Sequence, residues 1–257
     1  MKILVCIKQV PDMESKFKID SDEKWYDIND LAWRMNEYDE YAVEQAVQLK
    51  EQVKDADLTV LCIGSDKVKE TMKKALAMGC DRGVHIADDN ASNKDPYSIA
   101  SAISEFTKGK DFDYIFTGMQ SQDRGSGQVG VLLGEMTSMS TVTTIVAFDY
   151  NEGEVTAKRE LEGGIKAIVK VKGSAVFTCQ LGLNTPRYPT LPNIMKAKRK
   201  ELLSLPIDEL LKVDRLQETA RISFPEKKGG GLVLEGDAND LADQLVNILK
   251  EKTGVLS

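Results

Sequence analysis

Over residues 1–150, short apolar runs alternate with amphipathic stretches of helical period, and this alternation limits the fold more than any other feature. The apolar runs lie at 3–7, 58–64, 84–87 and 112–117. Between them, Asn36 stands as a helix cap with Asp39 three positions on, ahead of a stripe formed by Ala42, Ala46 and Leu49. Ser65 or Asp66 opens a second helix carrying Val68, Met72 and Ala75, which Gly79 stops. Asp95-Pro96 is a cap followed by the residue best tolerated at the first helical position, with Ile99, Ile103 and Phe106 behind it. A fourth helix is expected over 125–136, facing inward through Val129, Leu132, Leu133 and Met136. Strand–helix units of this length imply an α/β fold: a Rossmann-like parallel sheet flanked by helices on both faces.

After residue 140 the texture changes. Strand signals at 141–148 and 155–161 flank the hairpin turn Asn151-Glu152-Gly153, and β-branched runs follow at 165–171 and 176–181. All four read as an antiparallel β addition to the sheet. Proline and charge rise from about 185, periodicity is weak over 205–231, and Gly229-Gly230-Gly231 is a break. A final helix, roughly 238–252, carries Leu241, Leu245, Ile248 and Leu249 on one face and stops near Gly254. Such a face needs a surface to bury against, on its own domain or on a partner subunit. The chain thus divides into an α/β domain, 1–200, and an extended C-terminal arm ending in a helix, 201–257.

Several functions are disfavoured. No run of eighteen apolar residues occurs, and Met1 to Cys6 reads as a buried strand, not a signal peptide, so no membrane insertion and a cytoplasmic location are expected. A net charge of −7 argues against nucleic acid as a main partner. The basic run at 196–200 reads, on its own, as a solvated helix face. Cys6, Cys62, Cys80 and Cys179 form no Cys-x-x-Cys pair and the single histidine, His85, has no ligand-spaced neighbour, so no metal site and no catalytic triad are expected.

In an open parallel sheet, ligands bind beyond the carboxyl ends of the strands. The informative loop there is Gly118-Met119-Gln120-Ser121-Gln122-Asp123-Arg124-Gly125-Ser126-Gly127-Gln128-Val129-Gly130. A strand, a glycine-rich loop and a helix start can set backbone N–H groups against a phosphate, with Arg124, Ser126 and Gln128 as side-chain donors. The same pattern also serves as an ordinary helix cap. Neither Gly-x-Gly-x-x-Gly after the first strand nor a Gly-Lys-Ser/Thr loop is present, so ordinary NAD binding and ATP hydrolysis are unsupported.

The segment 183–200, containing Pro186-Arg187-Tyr188, Leu191-Pro192-Asn193-Ile194-Met195 and Lys196-Ala197-Lys198, resembles the signature of electron-transfer flavoprotein β subunits. The resemblance spans nearly the whole chain. Met35-Asn36 with Ala42-Val43-Glu44, Ala75 to Gly79 with Asp81-Arg82-Gly83, Arg159 to Gly164 and the Gly118 loop all look like family blocks in family order. It implies a non-enzymatic electron-carrier subunit paired with an electron-transfer flavoprotein α subunit that holds most contacts to a redox-active FAD. The β subunit would bury one AMP with a structural role, or a second FAD in members that bifurcate electrons. The stand-alone alternative is an adenine-nucleotide-binding module.

By that resemblance the nucleotide pocket uses Cys6, Asn36, Asp39, Val60, Ile63 and, from the loop, Gly118, Gln120, Asp123, Arg124, Gly125, Ser126, Gly127, Gln128 and Val129. The segment 183–200 becomes the recognition loop for a flavin-containing dehydrogenase, through Pro186, Arg187, Tyr188, Leu191, Pro192, Ile194, Met195 and Lys196. Leu191 is implied as its anchor, and Lys196, Lys198 and Lys200 as steering charges. Glu160 matches a carboxylate that pairs with an α-subunit arginine near the flavin; read unaided, it is an exposed strand residue paired with Arg159 or Lys158. The C-terminal arm is expected to pack on the partner subunit. Gln120-Ser121-Gln122-Asp123-Arg124 departs from the commoner Gln-Ala-Ile-Asp pattern and, with Phe224-Pro225-Glu226-Lys227, looks closer to members serving trimethylamine-type dehydrogenases.

Overall fold

A computed structural model describes residues 1–226 and 229–252. Lys227 and the expected helix stop near Gly254 lie outside the described residues. The chain opens with β1 (Lys2–Ile7) and a small antiparallel ribbon of β2 (Gln9–Pro11) and β3 (Trp33–Met35). The alternating region follows: α1 (Glu37–Gln52), β4 (Asp57–Gly64), α2 (Val68–Met78), β5 (Arg82–Ala87), α3 (Pro96–Thr107), β6 (Tyr114–Gly118) and α4 (Val129–Thr137). Then come β7 (Ser140–Asn151), β8 (Glu154–Glu160), β9 (Lys166–Lys172) and β10 (Ala175–Cys179). The sheet's last strand is β11 (Leu202–Pro206), which follows α5 (Leu191–Ala197); α6 (Ala238–Lys252) comes last.

Nine strands form one sheet in the order β11-β5-β4-β1-β6-β10-β7-β8-β9. From β11 to β7 every pairing is parallel; β7, β8 and β9 pair antiparallel, as the Asn151-Glu152-Gly153 turn requires. The expected α/β architecture is therefore present. Residues 3–7 of β1 are all buried because helices cover both sheet faces: Ile3, Val5 and Ile7 meet α1 and α2, while Leu4 and Cys6 meet the layer of α3 and α4. Asp95 caps α3 by accepting from the Ser98 N–H at 2.8 Å, with Pro96 at the first position.

Four expectations need correction. β10 is not part of the antiparallel addition; it lies parallel between β6 and β7, with Phe177 opposite Phe116. All five of its residues are buried, which suits an interior parallel strand. The weakly patterned stretch after 200 contains β11, a parallel edge strand on β5 that ends in proline, a residue an edge tolerates. α4 starts at Val129, not at 125, and α2 at Val68, after a turn at Ser65–Lys67 instead of directly on a Ser65 or Asp66 cap. One compact unit runs over residues 1–222 and includes β11; a second, 223–257, holds α6. No helix among the described residues is long and apolar enough to cross a membrane.

At Thr144 the backbone turns left-handed (φ +54), costly for a β-branched residue. Its N–H donates to Thr178 Oγ1 and its hydroxyl to the Glu160 carbonyl. These bonds hold β7 where its register shifts and the antiparallel arm leaves the sheet.

Candidate nucleotide site and docking segment

β1 is flanked by β4 on one side and β6 on the other, so the strand order reverses there, and ligands gather at such a point. A cavity of about 440 Å³ opens beyond these carboxyl ends, within the roughly 300–1,000 Å³ usual for cofactors. Cys6, Asn36, Asp39, Ile63 and Gly118 line it, joined by Gln120, Asp123, Arg124, Ser126, Gly127, Gln128 and Val129 from the loop. Two expected members stand elsewhere. Val60 is 0% exposed in the core on the α1 side of the sheet; strand alternation turns its neighbour Leu61 to the cavity instead. Gly125 lies behind the wall, its N–H donating to the Ser121 carbonyl at 2.7 Å.

Asp39 ties the site together. Its Oδ2 accepts from the Lys8 N–H at 2.6 Å, and its Oδ1 from the Gly118 N–H at 3.1 Å and Asn36 Nδ2 at 3.0 Å. Asn36 does not cap α1 through its side chain as expected. Its amide instead bridges to the loop, donating to the Gln120 carbonyl at 2.8 Å and accepting from the Gln122 N–H at 3.0 Å. The ends of β1 and β6 and the start of α1 are thereby locked in one network.

Burial pushes the Asp39 carboxyl from its ordinary 3.8 up to about 7, against the lowering effect of Asn36 and the Lys8 and Gly118 N–H groups. A carboxyl raised on folding contributes stability that is full below its unfolded value and lost as pH rises through the folded one. The nucleotide-free chain should therefore lose stability between about pH 4 and about pH 7. Asp39→Asn should flatten that slope while lowering stability at every pH, which thermal unfolding across the range checks.

Gly125 and Gly127 take left-handed backbone (φ +61 and +62), which alanine would strain by roughly 1–2 kcal/mol each. Their turns leave the N–H groups of Ser126, Gly127, Gln128 and Val129 without protein acceptors among the described residues, next to the positive end of α4. Lys8 Nζ meets Asp123 at 2.7 Å, and Arg124 stacks over the Trp25 ring at 4.2 Å while donating to the Ser92 carbonyl. These free donors suit a phosphate, and the apolar wall of Ile63, Ile99 and Ile103 suits a base or ring system. Sequence reading missed Trp25, Tyr26 and Trp33, which also line the cavity. Their signal was available: bulky aromatics in an otherwise charged stretch, with no strand or helix period to bury them.

Burial pushes the thiols up, Cys62 and Cys80 to about 12, so all four cysteines, which are buried and free, stay as thiols. Among the described residues no cluster could hold a metal ion.

The segment 183–200 forms an outward-facing finger. Thr190 caps α5 by accepting from the Asn193 N–H, Pro192 stands in its first turn, and Ala197 is buried at its far end. Leu191 is 73% and Tyr188 92% exposed; Ile194, Met195, Pro186 and Lys196 are at least partly exposed too. Two basic residues depart from expectation. Arg187 turns inward: its guanidinium meets Glu44 at 2.8 and 3.0 Å and Glu51 at 2.6 and 3.0 Å. Lys200 folds back, donating to the Leu76 and Cys80 carbonyls at the end of α2. Lys196 and Lys198 remain exposed.

Arg187 therefore anchors the base of the finger. Arg187→Ala would leave the Glu44 carboxylate, 3% exposed, without its counter-charge. A loss of about 2 kcal/mol in urea unfolding is expected, because one partner of a largely buried pair is removed.

Glu160, at the end of β8, accepts from Gln180 Nε2 at 3.2 Å. It pairs with neither Arg159, which donates to Thr143 Oγ1 at 2.6 Å, nor Lys158. The loop beyond it presents Leu161 and Ile165 to solvent.

An electron transfer flavoprotein domain model matches residues 25–210. The electron transfer flavoprotein subunit beta of Bacillus subtilis is 36% identical over 263 residues, covering 100% of both chains. The proteins of the same name from Syntrophomonas wolfei and Methylophilus methylotrophus are 34% and 31% identical, each over 99% of this chain and 98% and 100% of their own.

Proposed function

The chain belongs to the electron transfer flavoprotein family as a β subunit, and from that premise we propose that it is the nucleotide-holding half of a heterodimeric electron carrier. It pairs with an α subunit, holds one AMP in the cavity beyond β1, β4 and β6, and docks a flavin-containing dehydrogenase through the finger at 183–200. It turns over no substrate itself. FAD, held mostly by the α subunit, supplies the redox chemistry. This chain's own residues shape the complex: the 118–130 loop and α4 hold a phosphate, Asp39 and Asn36 fix that loop, and Leu191 presents an anchor. Glu160 and the exposed loop after it face the α subunit.

The observation that carries this reading is the set of free N–H groups at 126–129 on the cavity wall, at the switch point of the sheet. The test is the mass of the small molecule released when the purified αβ complex is denatured. AMP is expected in near-equimolar amount. Release of no nucleotide, with no uptake of added AMP, would overturn the proposal.

A second FAD in place of AMP is the alternative. It is favoured by a polar recess of about 130 Å³ that shares Ser92, Lys94, Pro96 and Arg124 with the main cavity and adds Lys24 and Arg215. Two released FAD per complex and no AMP would establish that reading.

A further inference from the structure

A long loop on the cavity is a folded unit of its own. β2 and β3 pair antiparallel out to Pro11 and Trp33, and the Asp12 N–H donates to the Ala32 carbonyl at 2.8 Å, so the chain leaves and returns at one point. Hairpin loops usually take about 2–5 residues, and loops as long as this one are commonly lids or binding loops. Inside it, Ile19 bridges to Tyr26, the Asp20 N–H donates to the Trp25 carbonyl, and Phe17 packs edge-on against the Tyr26 ring. The loop brings Trp25, Tyr26 and Ile28 to the cavity. Trp25 lies under the Arg124 guanidinium, while burial first and then the Asp123 charge hold the Tyr26 phenol above its ordinary value. Two neighbouring residues of this loop thus rest on two neighbouring residues of the 118–130 loop.

A second segment holds the first in place. Residues 211–222 form neither helix nor strand and are fixed at two points. At one, Asp95 is 4% exposed; its Oδ1 caps α3, and its Oδ2 accepts from the Leu216 N–H at 2.7 Å and the Gln217 N–H at 3.1 Å. At the other, the Ile222 N–H donates to the Glu23 carbonyl at 2.7 Å, and Arg221 Nε meets the Glu23 carboxylate at 2.8 Å. Between these points, Glu218 and Thr219 line the recess that shares Ser92 and Arg124 with the main cavity. Apart from the base at Asp12 and the contacts with 123–124, every hydrogen bond or ion pair reaching residues 13–31 from elsewhere comes, among the described residues, from this segment. The loop's internal bonds survive if it swings about its base, whereas the bonds at Glu23 do not. We propose that residues 13–31 are a lid over the nucleotide and residues 215–222 the strap that seats it, so that nucleotide exchange requires the strap to let go. This rests on the cavity being the nucleotide site.

The test is the rate at which the αβ complex releases radiolabelled AMP into excess unlabelled AMP, and the rate at which the stripped complex takes it up. In Asp95→Asn the remaining oxygen can still cap α3, because asparagine caps as well as aspartate, but the amide faces the Leu216 and Gln217 N–H groups, donor against donor. Release should quicken about 10-fold or more, the range for bonds lost to a charged acceptor. Arg221→Ala with Ile222→Pro removes both bonds to Glu23 from residues that do not line the cavity, and should quicken release about 2- to 10-fold. Uptake should quicken too, which the loss of a mere binding contact would not cause. Amide hydrogen exchange over 13–31 should rise in both variants while β1 and α3 stay protected, which separates a loosened lid from a folding defect. Unchanged rates, faster release without faster uptake, or unchanged protection of 13–31 would each overturn the proposal. If the wild-type complex takes up no AMP, the reading of the cavity fails, and amide exchange over 13–31 in the same variants still decides whether the strap seats the loop.

Discussion

Leu191→Ala is expected to slow electron delivery from the partner dehydrogenase about 30-fold or more, since anchor residues at interface centres contribute roughly 2 kcal/mol or above. The side chain is 73% exposed and touches no core, so its removal should leave stability and bound nucleotide unchanged. Pre-ordering is what suits it to serve as an anchor. Thr190 caps the helix start, Pro192 restricts the backbone, and the Arg187 pair with Glu44 and Glu51 fixes the base of the finger. Little freedom is then lost on docking. Stopped-flow reduction of the αβ complex by its dehydrogenase reads the effect; an unchanged rate at sub-saturating complex would remove Leu191 from the interface.

The largest effect on the fold is expected at Gly118. A methyl group there would stand 2.8 Å from Tyr38 Cβ and closer still to Asp39 Oδ1. Tyr38 and Asp39 sit in the first turn of α1, so neither can retreat without shifting the helix. The Asp39 carboxylate would have to leave the Lys8 and Gly118 N–H groups. Overpacking with orphaned donors makes a loss of roughly 3 kcal/mol or more the expected outcome for Gly118→Ala. Nucleotide retention should fall with it, because the network that fixes the 118–130 loop is broken. Gly229→Ala, with open space around it, is the control. Urea unfolding and the mass of retained nucleotide test both parts, and a wild-type midpoint in Gly118→Ala would contradict the geometry.

Legibility in the sequence followed the range of the interactions. The Asp95-Pro96 cap and the Asn151-Glu152-Gly153 turn are decided within a few residues, and both stand where the sequence puts them. The insertion of β10 between β6 and β7 depends on which strand an apolar run pairs with, and a continuous run such as Ala175–Cys179 carries no local mark of its neighbour. β11 is half exposed and ends in proline, so its signal falls below that of a loop. In the candidate site, the strand-end loops could be located from alternation alone, yet Val60 and Leu61 differ only in the face they take. The inward turn of Arg187 was hidden for a related reason: Glu44 lies 143 positions away, and nothing near Arg187 announces it.

The placement of β10 also bears on how the molecule is made. While the chain emerges from the ribosome, the first half can assemble β5-β4-β1-β6 with its helices, but the free side of β6 must stay open until residues 175–179 have been synthesised. The hairpin arm forms earlier and can only be joined to the rest once β10 threads in between. Late closure of a central seam by a distant segment makes for slow maturation and an interval in which a bare strand edge is vulnerable to pairing with other chains. Truncations that stop short of residue 180 are therefore expected to aggregate instead of yielding a smaller working domain.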